Sequence, residues 1–246
     1  MISIDTLLPI GEMGSILESL DLRLESIGTQ MEKTLHKTIK HYLCPDAMCH
    51  EFKVGAFIAD IYRDGKITEI QTGSFKALQN KLKALLPNYP ITLVHPIIRR
   101  KTIYSLDSSG FVSKPKKSPK IGNPLAIFRE LAQIKSFLLQ PNLSIWIFMV
   151  DADEYRITPL TKLSRKPYER LEQFAKGIPQ IIKLNSVIDY KQLIPPLPTE
   201  FVITDVAKAT RLSNSDANAF VSVLKSIGLI EQIGKRGRAY LYQLIH

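Results

Sequence analysis

The chain has 246 residues, of which 45% are apolar, so it is long enough for one or two domains with buried cores. Its formal net charge of +10 would attract an anionic partner, either nucleic acid or a membrane surface. We find no apolar run long enough to span a bilayer and no signal peptide over Met1–Ile16. These features predict a cytoplasmic protein whose partner is nucleic acid and not a membrane.

The first part of the chain is predicted to alternate helices with strands. Apolar residues at helical spacing predict a long helix that ends at Pro45-Asp46. Residues 1–30 of the chain are predicted to form a helical extension before the first domain. In chain order we predict a helix over Ile4–Lys40, strands over Phe52–Tyr62 and Lys66–Thr72, a helix over Phe75–Leu86 and a strand over Ile91–Ile98.

Two cysteines, Cys44 and Cys49, lie close in sequence to His41 and His50. This spacing matches no established zinc pattern. Cysteines of a cytoplasmic protein are more often reduced than bridged. We therefore interpret them as reduced thiols, with a zinc site as the alternative.

The segment Arg99–Gly122 is strongly basic and supplies more than half of the net charge. Asp107-Ser108-Ser109-Gly110 predicts a hairpin turn between strands Thr102–Leu106 and Phe111–Ser113. The segment is either a solvated loop or an arm that contacts phosphate groups. In the second case the contacts come from Arg99, Arg100, Lys101, Lys116, Lys117 and Lys120.

Beyond this segment we predict a helix over Ile127–Leu139, a strand over Leu143–Val150 and a helix over Pro167–Lys176. The acidic residues Asp151, Asp153 and Glu154 are expected to lie in a solvated loop. Pro195-Pro196-Leu197-Pro198 is typical of a linker. The order of elements predicts one α/β domain over residues 31–194 and a separate small module over residues 195–246.

Asp64-Gly65 predicts a tight hairpin that places Asp60 opposite Glu69, with Gln71 on the same face of the sheet. Opposed carboxylates repel each other and need a proton or a cation between them. Mg²⁺ suits such a pair, and removal of one carboxylate should then stabilise the metal-free protein slightly. The alternative is an exposed acidic pair neutralised by Arg63 or Lys66.

This arrangement resembles the PD-(D/E)XK nuclease superfamily, which has the restriction-endonuclease-like fold. The resemblance covers roughly Glu32–Val150 and implies that Glu32, Asp60, Glu69 and Gln71 are catalytic residues. It implies that Asp60 and Glu69 bind Mg²⁺ or Mn²⁺, which activates water for phosphodiester hydrolysis. Gln71 stands where the family usually has lysine, so Lys101 or Lys120 would have to supply the positive charge.

The C-terminal tail contains two predicted helices, Val202–Thr210 and Ser215–Ile227, and two predicted strands, Leu229–Ile233 and Ala239–Leu244. A basic turn, Gly234–Arg238, joins the strands. This order resembles the winged helix-turn-helix family, which places its second helix in the major groove of DNA. The resemblance implies DNA contacts from Ser213, Asn214, Ser215, Asn218 and Lys225 on the helix and from Lys235, Arg236 and Arg238 in the turn.

The expected fold is therefore an α/β protein with a restriction-endonuclease-like mixed sheet flanked by helices, followed by a winged-helix domain. The expected function is DNA binding with metal-dependent endonuclease activity. The alternative is a non-catalytic DNA-binding regulator, whose nuclease-like domain serves in sensing or in the formation of a homodimer. The C-terminal module could likewise serve in protein contacts.

Overall fold

The computed structural model describes residues 31–106, 114–157 and 168–245. Within these ranges, seven strands form one mixed sheet in the order β1-β2-β3-β4-β6-β7, with β5 paired to β4, and three further strands form a second sheet in the order β8-β10-β9. The strands are β1 (His50–Val54), β2 (Phe57–Arg63), β3 (Lys66–Ile70), β4 (Ile91–Leu106), β5 (Lys116–Lys117), β6 (Leu143–Ile157), β7 (Glu169–Leu184), β8 (Glu200–Phe201), β9 (Ile230–Arg236) and β10 (Ala239–Leu244).

The helices are short, and several are continued by 3₁₀ turns. One 3₁₀ turn, Phe75–Leu78, leads into α2, and two others, Pro124–Ile127 and Ala132–Phe137, lie on either side of α3. The α-helices are α1 (Met31–Leu43), α2 (Gln79–Leu85), α3 (Phe128–Leu131), α4 (Val187–Gln192), α5 (Ile203–Thr210) and α6 (Asn214–Ser226). Within the described ranges, no helix is both long enough and apolar enough to cross a bilayer.

The predicted hairpin turn is confirmed. Strand β2 ends at Arg63 and β3 begins at Lys66, so the connection consists of Asp64 and Gly65 alone. Both residues have positive φ, 51° and 73°, as a two-residue turn of this type requires. From β3 the chain passes through α2 to β4, which pairs parallel with β3.

Three sequence predictions in the middle of the chain are wrong. Strand β6 continues to Ile157, so the acidic residues after Val150 lie on a strand and not in a loop. The helix predicted over Pro167–Lys176 is strand β7 from Glu169 onward, because pairing in the sheet outweighs a weak helical spacing. The helix predicted over Ile127–Leu139 is broken into short segments with non-helical backbone at Ile134.

In the segment Arg99–Gly122, the described strand that pairs with β4 is β5. Thr102 and Ile103 of β4 pair with Lys117 and Lys116 of β5. The turn predicted at residues 107–110 and the strand predicted at residues 111–113 lie outside the described residues. The helical extension predicted for residues 1–30 also lies outside them.

The chain divides into two compact units, and both are discontinuous in sequence. The first takes residues up to Arg63, Pro96–Gly122 and Phe148–Ile181, whereas the second takes Asp64–His95, Asn123–Ile147 and Ile182–His246. The domain boundary predicted at residue 195 falls inside the second unit. The C-terminal elements therefore share a compact unit with earlier segments of the chain.

The first unit has an apolar core between α1 and the sheet. Leu35, Ile39 and Tyr42 recur at helical spacing and are buried, because this spacing puts them on one face of α1. Tyr42 packs edge-to-face on Phe148 of β6 with ring centroids 6.2 Å apart. This packing fixes α1 against the central strands of the unit.

The second unit has an aromatic core in which α3 is central. Phe128 of α3 is fully buried and packs on Phe220 of α6, with ring centroids 4.4 Å apart. Phe128 also lies edge-to-face on Tyr190 of α4, at 6.5 Å. Aromatic contacts thus bind three helices of this unit together.

Candidate functional site

The two predicted metal-binding carboxylates have different partners in the structure. The Oδ2 atom of Asp60, on β2, lies 3.0 Å from Nε2 of His36 on α1. The sequence analysis did not predict this histidine, which lies one helical turn before Lys40 and belongs to no recognised motif. The contact holds Asp60 to the helix of its own unit.

The second carboxylate, Glu69 on β3, is almost completely buried. Its Oε2 atom lies 2.5 Å from Nζ of Lys81 on α2. Lys81 was not predicted to be a site residue, and the predicted replacements for the missing lysine were Lys101 and Lys120. A lysine on the helix that follows β3 therefore supplies the positive charge beside Glu69. The side chain of Gln71 donates to the carbonyl oxygen of Ser74 at 2.7 Å, which ties it to the local loop.

The described side chains include three of the four predicted catalytic residues, Asp60, Glu69 and Gln71. Glu32 lies in α1, but its side chain is outside the described part of the chain. Among residues 31–106, 114–157 and 168–245, no three His, Cys, Asp or Glu side chains come together as a metal-binding group. The binding of Mg²⁺ or Mn²⁺ stays a prediction.

The cysteine–histidine cluster forms a local packing motif. Cys44 and Cys49 are unbridged, and Cys44 is buried. Nε2 of His50 lies 2.7 Å from the carbonyl oxygen of Cys44, and the rings of His41 and His50 meet edge-to-face at 4.8 Å. Burial and the neighbouring His50, Lys37 and Lys40 lower the pKa of His41.

Two of the predicted phosphate-contacting residues are bound to acids on β6. Arg99 donates to both carboxylate oxygens of Asp151, with Nε–Oδ1 and Nη2–Oδ2 distances of 2.9 and 2.5 Å. Lys101 Nζ lies 2.7 Å from Oε2 of Glu154. These bases therefore brace β4 against β6, and their charge is already compensated. The other predicted contacts, Arg100, Lys116, Lys117 and Lys120, are exposed.

Glu154 is the centre of a buried charge cluster. Its side chain is only 1% exposed and is bound by Lys101 and Arg156, while Nε2 of Gln173 donates to it at 3.3 Å. Burial alone would raise the pKa of Glu154, but the hydrogen bonds from Lys101 and Arg156 outweigh burial and lower it. Glu154 is therefore a buried carboxylate that remains ionised.

The C-terminal module contains the predicted pair of helices. Ser213 caps α6, since its hydroxyl accepts from the backbone N–H of Asp216 at 3.1 Å. The apolar residues Ala217, Val221 and Leu224 are buried, which leaves a polar stripe on the opposite side of the helix. The exposed residues include all five that were predicted to contact DNA: Ser213, Asn214, Ser215, Asn218 and Lys225.

The strands β9 and β10 form the predicted basic hairpin, but its turn is shorter than expected. Only Gly237 and Arg238 lie outside the strands, and Gly237 has a φ of 63°. Lys235 lies over the ring of Tyr240 at 5.2 Å, and Arg236 lies 3.8 Å from Glu200. Lys235, Arg236 and Arg238 are all exposed.

Helix α6 also carries a basic neighbour that sequence reasoning missed. Arg129 of α3 lies 2.6 Å from Asp216 in the first turn of α6, and its own side chain is 60% exposed. Lys135 donates to the hydroxyl of Ser222 at 3.2 Å. Each base precedes its partner on α6 by 87 residues, so no local pattern could indicate either contact.

The chain belongs to the family described as Domain of unknown function (DUF8091), whose model matches residues 33–185, more than half of the chain. A protein of Treponema pallidum (strain Nichols), described as an uncharacterized protein, is 27% identical over 226 residues. That alignment covers 89% of this chain and 87% of the relative. No solved structure matches the chain significantly.

Proposed function

We propose that the protein is a DNA-binding regulator whose C-terminal module is a winged helix-turn-helix. The observation that carries the proposal is the exposed polar stripe of α6 beside an exposed basic hairpin. The order of elements, with β8 before two helices and a β9–β10 hairpin after them, supports this assignment.

The side chains on α6 suit the reading of base edges better than non-specific attraction. Asn218 and Asn214 carry amide groups, which can form paired hydrogen bonds with adenine in the major groove. Lys225 is the one basic residue on this helix. If α6 recognises base edges, the basic residues that bind the DNA phosphates must therefore come from other parts of the module.

That source is the basic hairpin together with Arg129. Lys235, Arg236 and Arg238 lie within four residues of one another around a tight turn, and all are exposed. Arg129 adds a mostly exposed guanidinium group at the N-terminal end of α6, where a phosphate would share it with Asp216. Bases so placed would contact the phosphates that border the groove, which positions the helix without reading sequence.

Replacing Lys235, Arg236 and Arg238 together with glutamine should weaken duplex DNA binding by about 10- to 100-fold near physiological salt. The slope of log K against log salt should fall by about 2–3, because each lost phosphate contact removes about 0.9. Fluorescence anisotropy of a labelled duplex at several salt concentrations measures both quantities.

The matched control replaces three exposed lysines elsewhere, Lys53, Lys76 and Lys83, with glutamine. This variant has the same net charge as the hairpin variant but keeps the hairpin. Its salt slope should stay within about 0.5 of the wild-type slope. An unchanged slope in the hairpin variant, or equal losses in the two variants, would assign the module to protein contacts.

Metal-dependent cleavage of DNA is a second candidate function. The buried ion pair between Glu69 and Lys81 favours it, because Lys81 supplies beside β3 the positive charge that Gln71 lacks. Lys81 already occupies Oε2 of this carboxylate, so binding of a divalent cation would require it to share or release Glu69. A bound Mg²⁺ would activate water and stabilise the charge that develops on phosphate.

If this second candidate is correct, the protein should nick supercoiled plasmid DNA in Mg²⁺ or Mn²⁺. Glu69→Gln should then reduce the rate by about 100-fold or more, since the metal loses a ligand. Exposed Glu231→Gln is the control and should keep the wild-type rate. Wild-type protein that binds DNA but cleaves neither duplex nor single strands with either metal would eliminate this candidate.

A further inference from the structure

A pocket of about 520 Å³ lies within the first unit, where β4, β5, β6 and β7 contribute its walls. This volume falls in the range of small-molecule sites, which run from about 300 to 1,000 Å³. Four basic residues line it, Arg100, Lys101, Lys117 and Lys176, against one acidic residue, Asp151. The composition of the walls indicates an anionic ligand.

Two of the charged residues at the pocket are already neutralised. Asp151 receives both hydrogen bonds of the Arg99 guanidinium group, which lower the pKa of this carboxyl group. Lys101 is bound to the buried Glu154 at 2.7 Å. Asp151 therefore repels an anionic ligand only weakly. Lys101 is held in a fixed position at the wall of the pocket by its contact with Glu154.

The other three bases carry the positive charge that a ligand would meet. Arg100 and Lys117 are exposed, and neither forms an ion pair with an acid in the described ranges. Lys176 lies 3.5 Å from Oδ2 of Asp153, and its side chain is 55% exposed. Guanidinium and ammonium groups at the wall of a cavity can form charge-assisted hydrogen bonds with phosphate.

One wall of the pocket is fixed in place by backbone contacts. The N–H groups of Ser118 and Gly122 donate to the carbonyl oxygens of Lys101 and Arg99, both at 2.8 Å. A Cβ atom at Gly122 would lie 2.2 Å from the carbonyl oxygen of Ile98, so only glycine allows this approach. The segment from Ser118 to Gly122 is thus held against β4 before any ligand arrives.

The pocket also has an apolar side. Pro119, Ile121 and Pro179 line it, and the side chain of Ile121 is 69% exposed. A phosphate ion alone would fill only a small part of the volume and would leave these surfaces in water. We infer that the pocket binds a small phosphorylated ligand with an organic body, of the size and chemistry of a nucleotide.

This inference does not depend on DNA binding, since every residue of the pocket lies in the first unit. It would give the regulator proposed above a means of sensing a phosphorylated metabolite. It also reassigns Arg100 and Lys117, which the sequence indicated as contacts to nucleic acid, to a small-molecule site.

Isothermal titration calorimetry on the full chain tests the inference with AMP, GMP, CMP and UMP, and with inorganic phosphate and adenosine for comparison. At least one nucleotide should bind saturably, and it should bind more tightly than either phosphate or adenosine. Arg100→Gln with Lys117→Gln should weaken this binding by about tenfold or more, whereas Lys53→Gln with Lys83→Gln should change it by less than about twofold.

Gly122→Ala provides a second test, because it displaces the wall without removing charge. This variant should keep its circular dichroism spectrum and lose about tenfold in nucleotide affinity. Three results would overturn the inference: no saturable binding of any nucleotide, equal losses in the two double variants, or adenosine that binds as tightly as AMP. If inorganic phosphate bound as tightly as the nucleotides, the inference that the ligand has an organic body would be overturned. A short DNA duplex that loses more affinity than the nucleotides in the Arg100/Lys117 variant would assign these bases to DNA.

Discussion

Glu154→Ala should lower the free energy of unfolding by about 3–5 kcal/mol, which is the usual cost of removing one partner from a buried ion pair. The side chain of Glu154 is 1% exposed, and those of Lys101 and Arg156 are 22% and 15% exposed. Alanine would leave two bases largely buried without their counter-charge. Urea denaturation followed by circular dichroism measures the loss.

Two variants distinguish the charge cluster from simple loss of volume. Lys101→Met with Glu154→Leu removes the Lys101–Glu154 pair and should lose less stability than Glu154→Ala alone, because it leaves one largely buried base, Arg156, without its counter-charge instead of two. Exposed Glu231→Ala should cost no more than about 0.5 kcal/mol. If the free energy of unfolding of Glu154→Ala lies within about 1 kcal/mol of the wild-type value, the cluster contributes little, and β4 is held to β6 by backbone pairing and by the Arg99–Asp151 pair.

The same cluster predicts a dependence of stability on pH. Although burial opposes ionisation, the hydrogen bonds from Lys101 and Arg156 hold the pKa of Glu154 below its ordinary value. A carboxyl group whose pKa is lower in the folded state stabilises the protein above its unfolded pKa, near 4.3. That contribution is lost as the pH falls through the folded pKa. Wild-type protein should therefore lose more stability below about pH 4 than the Lys101→Met, Glu154→Leu variant.

Glu69→Ala should also be strongly destabilising, by about 3–5 kcal/mol. Its carboxylate is 7% exposed and binds Lys81, whose side chain is 13% exposed, so the variant would deprive a largely buried ammonium group of this carboxylate. This expectation reverses the one that the sequence suggested, in which loss of a repelling carboxylate stabilises the metal-free protein. Chemical denaturation in the presence of a chelator measures the change without any contribution from metal.

A double-mutant cycle with Lys81→Met isolates the pair. If the ion pair dominates, Glu69→Ala and Lys81→Met should be non-additive, with an interaction energy of about 1–3 kcal/mol. A Glu69→Ala variant that is more stable than wild type would instead favour repulsion between carboxylates, as first expected. Because stability and DNA cleavage are measured separately, an inactive but folded Glu69→Gln protein remains distinguishable from a misfolded one.

Local chemistry was sufficient to predict several elements of this protein from its sequence. Asp64-Gly65 predicts its hairpin because both residues accept positive φ, and the structure has that turn. Asn214 or Ser213 predicts the start of helix α6 because either side chain can cap the first backbone N–H groups, and in the structure Ser213 is the cap. The apolar spacing of Ala219, Val223 and Ile227 predicts an apolar side of this helix, and Val223 and Ile227 are buried. Ala217, Val221 and Leu224 are buried as well, which the sequence did not predict.

Tertiary structure decided the features in which distant residues compete with local pattern. Strand β7 has residues compatible with a helix, and only its place in the sheet makes it a strand. The sequence predicted Asp151 and Glu154 to be solvated acids in a loop. In the structure they lie on β6, where Arg99 and Lys101, more than 50 residues away in the chain, bind them. Lys81 meets Glu69 only because the chain returns through α2 after β3. The sequence by itself determined turns, caps and amphipathic faces, because these depend on neighbouring residues, whereas charge partners depend on which strands and helices the fold brings together.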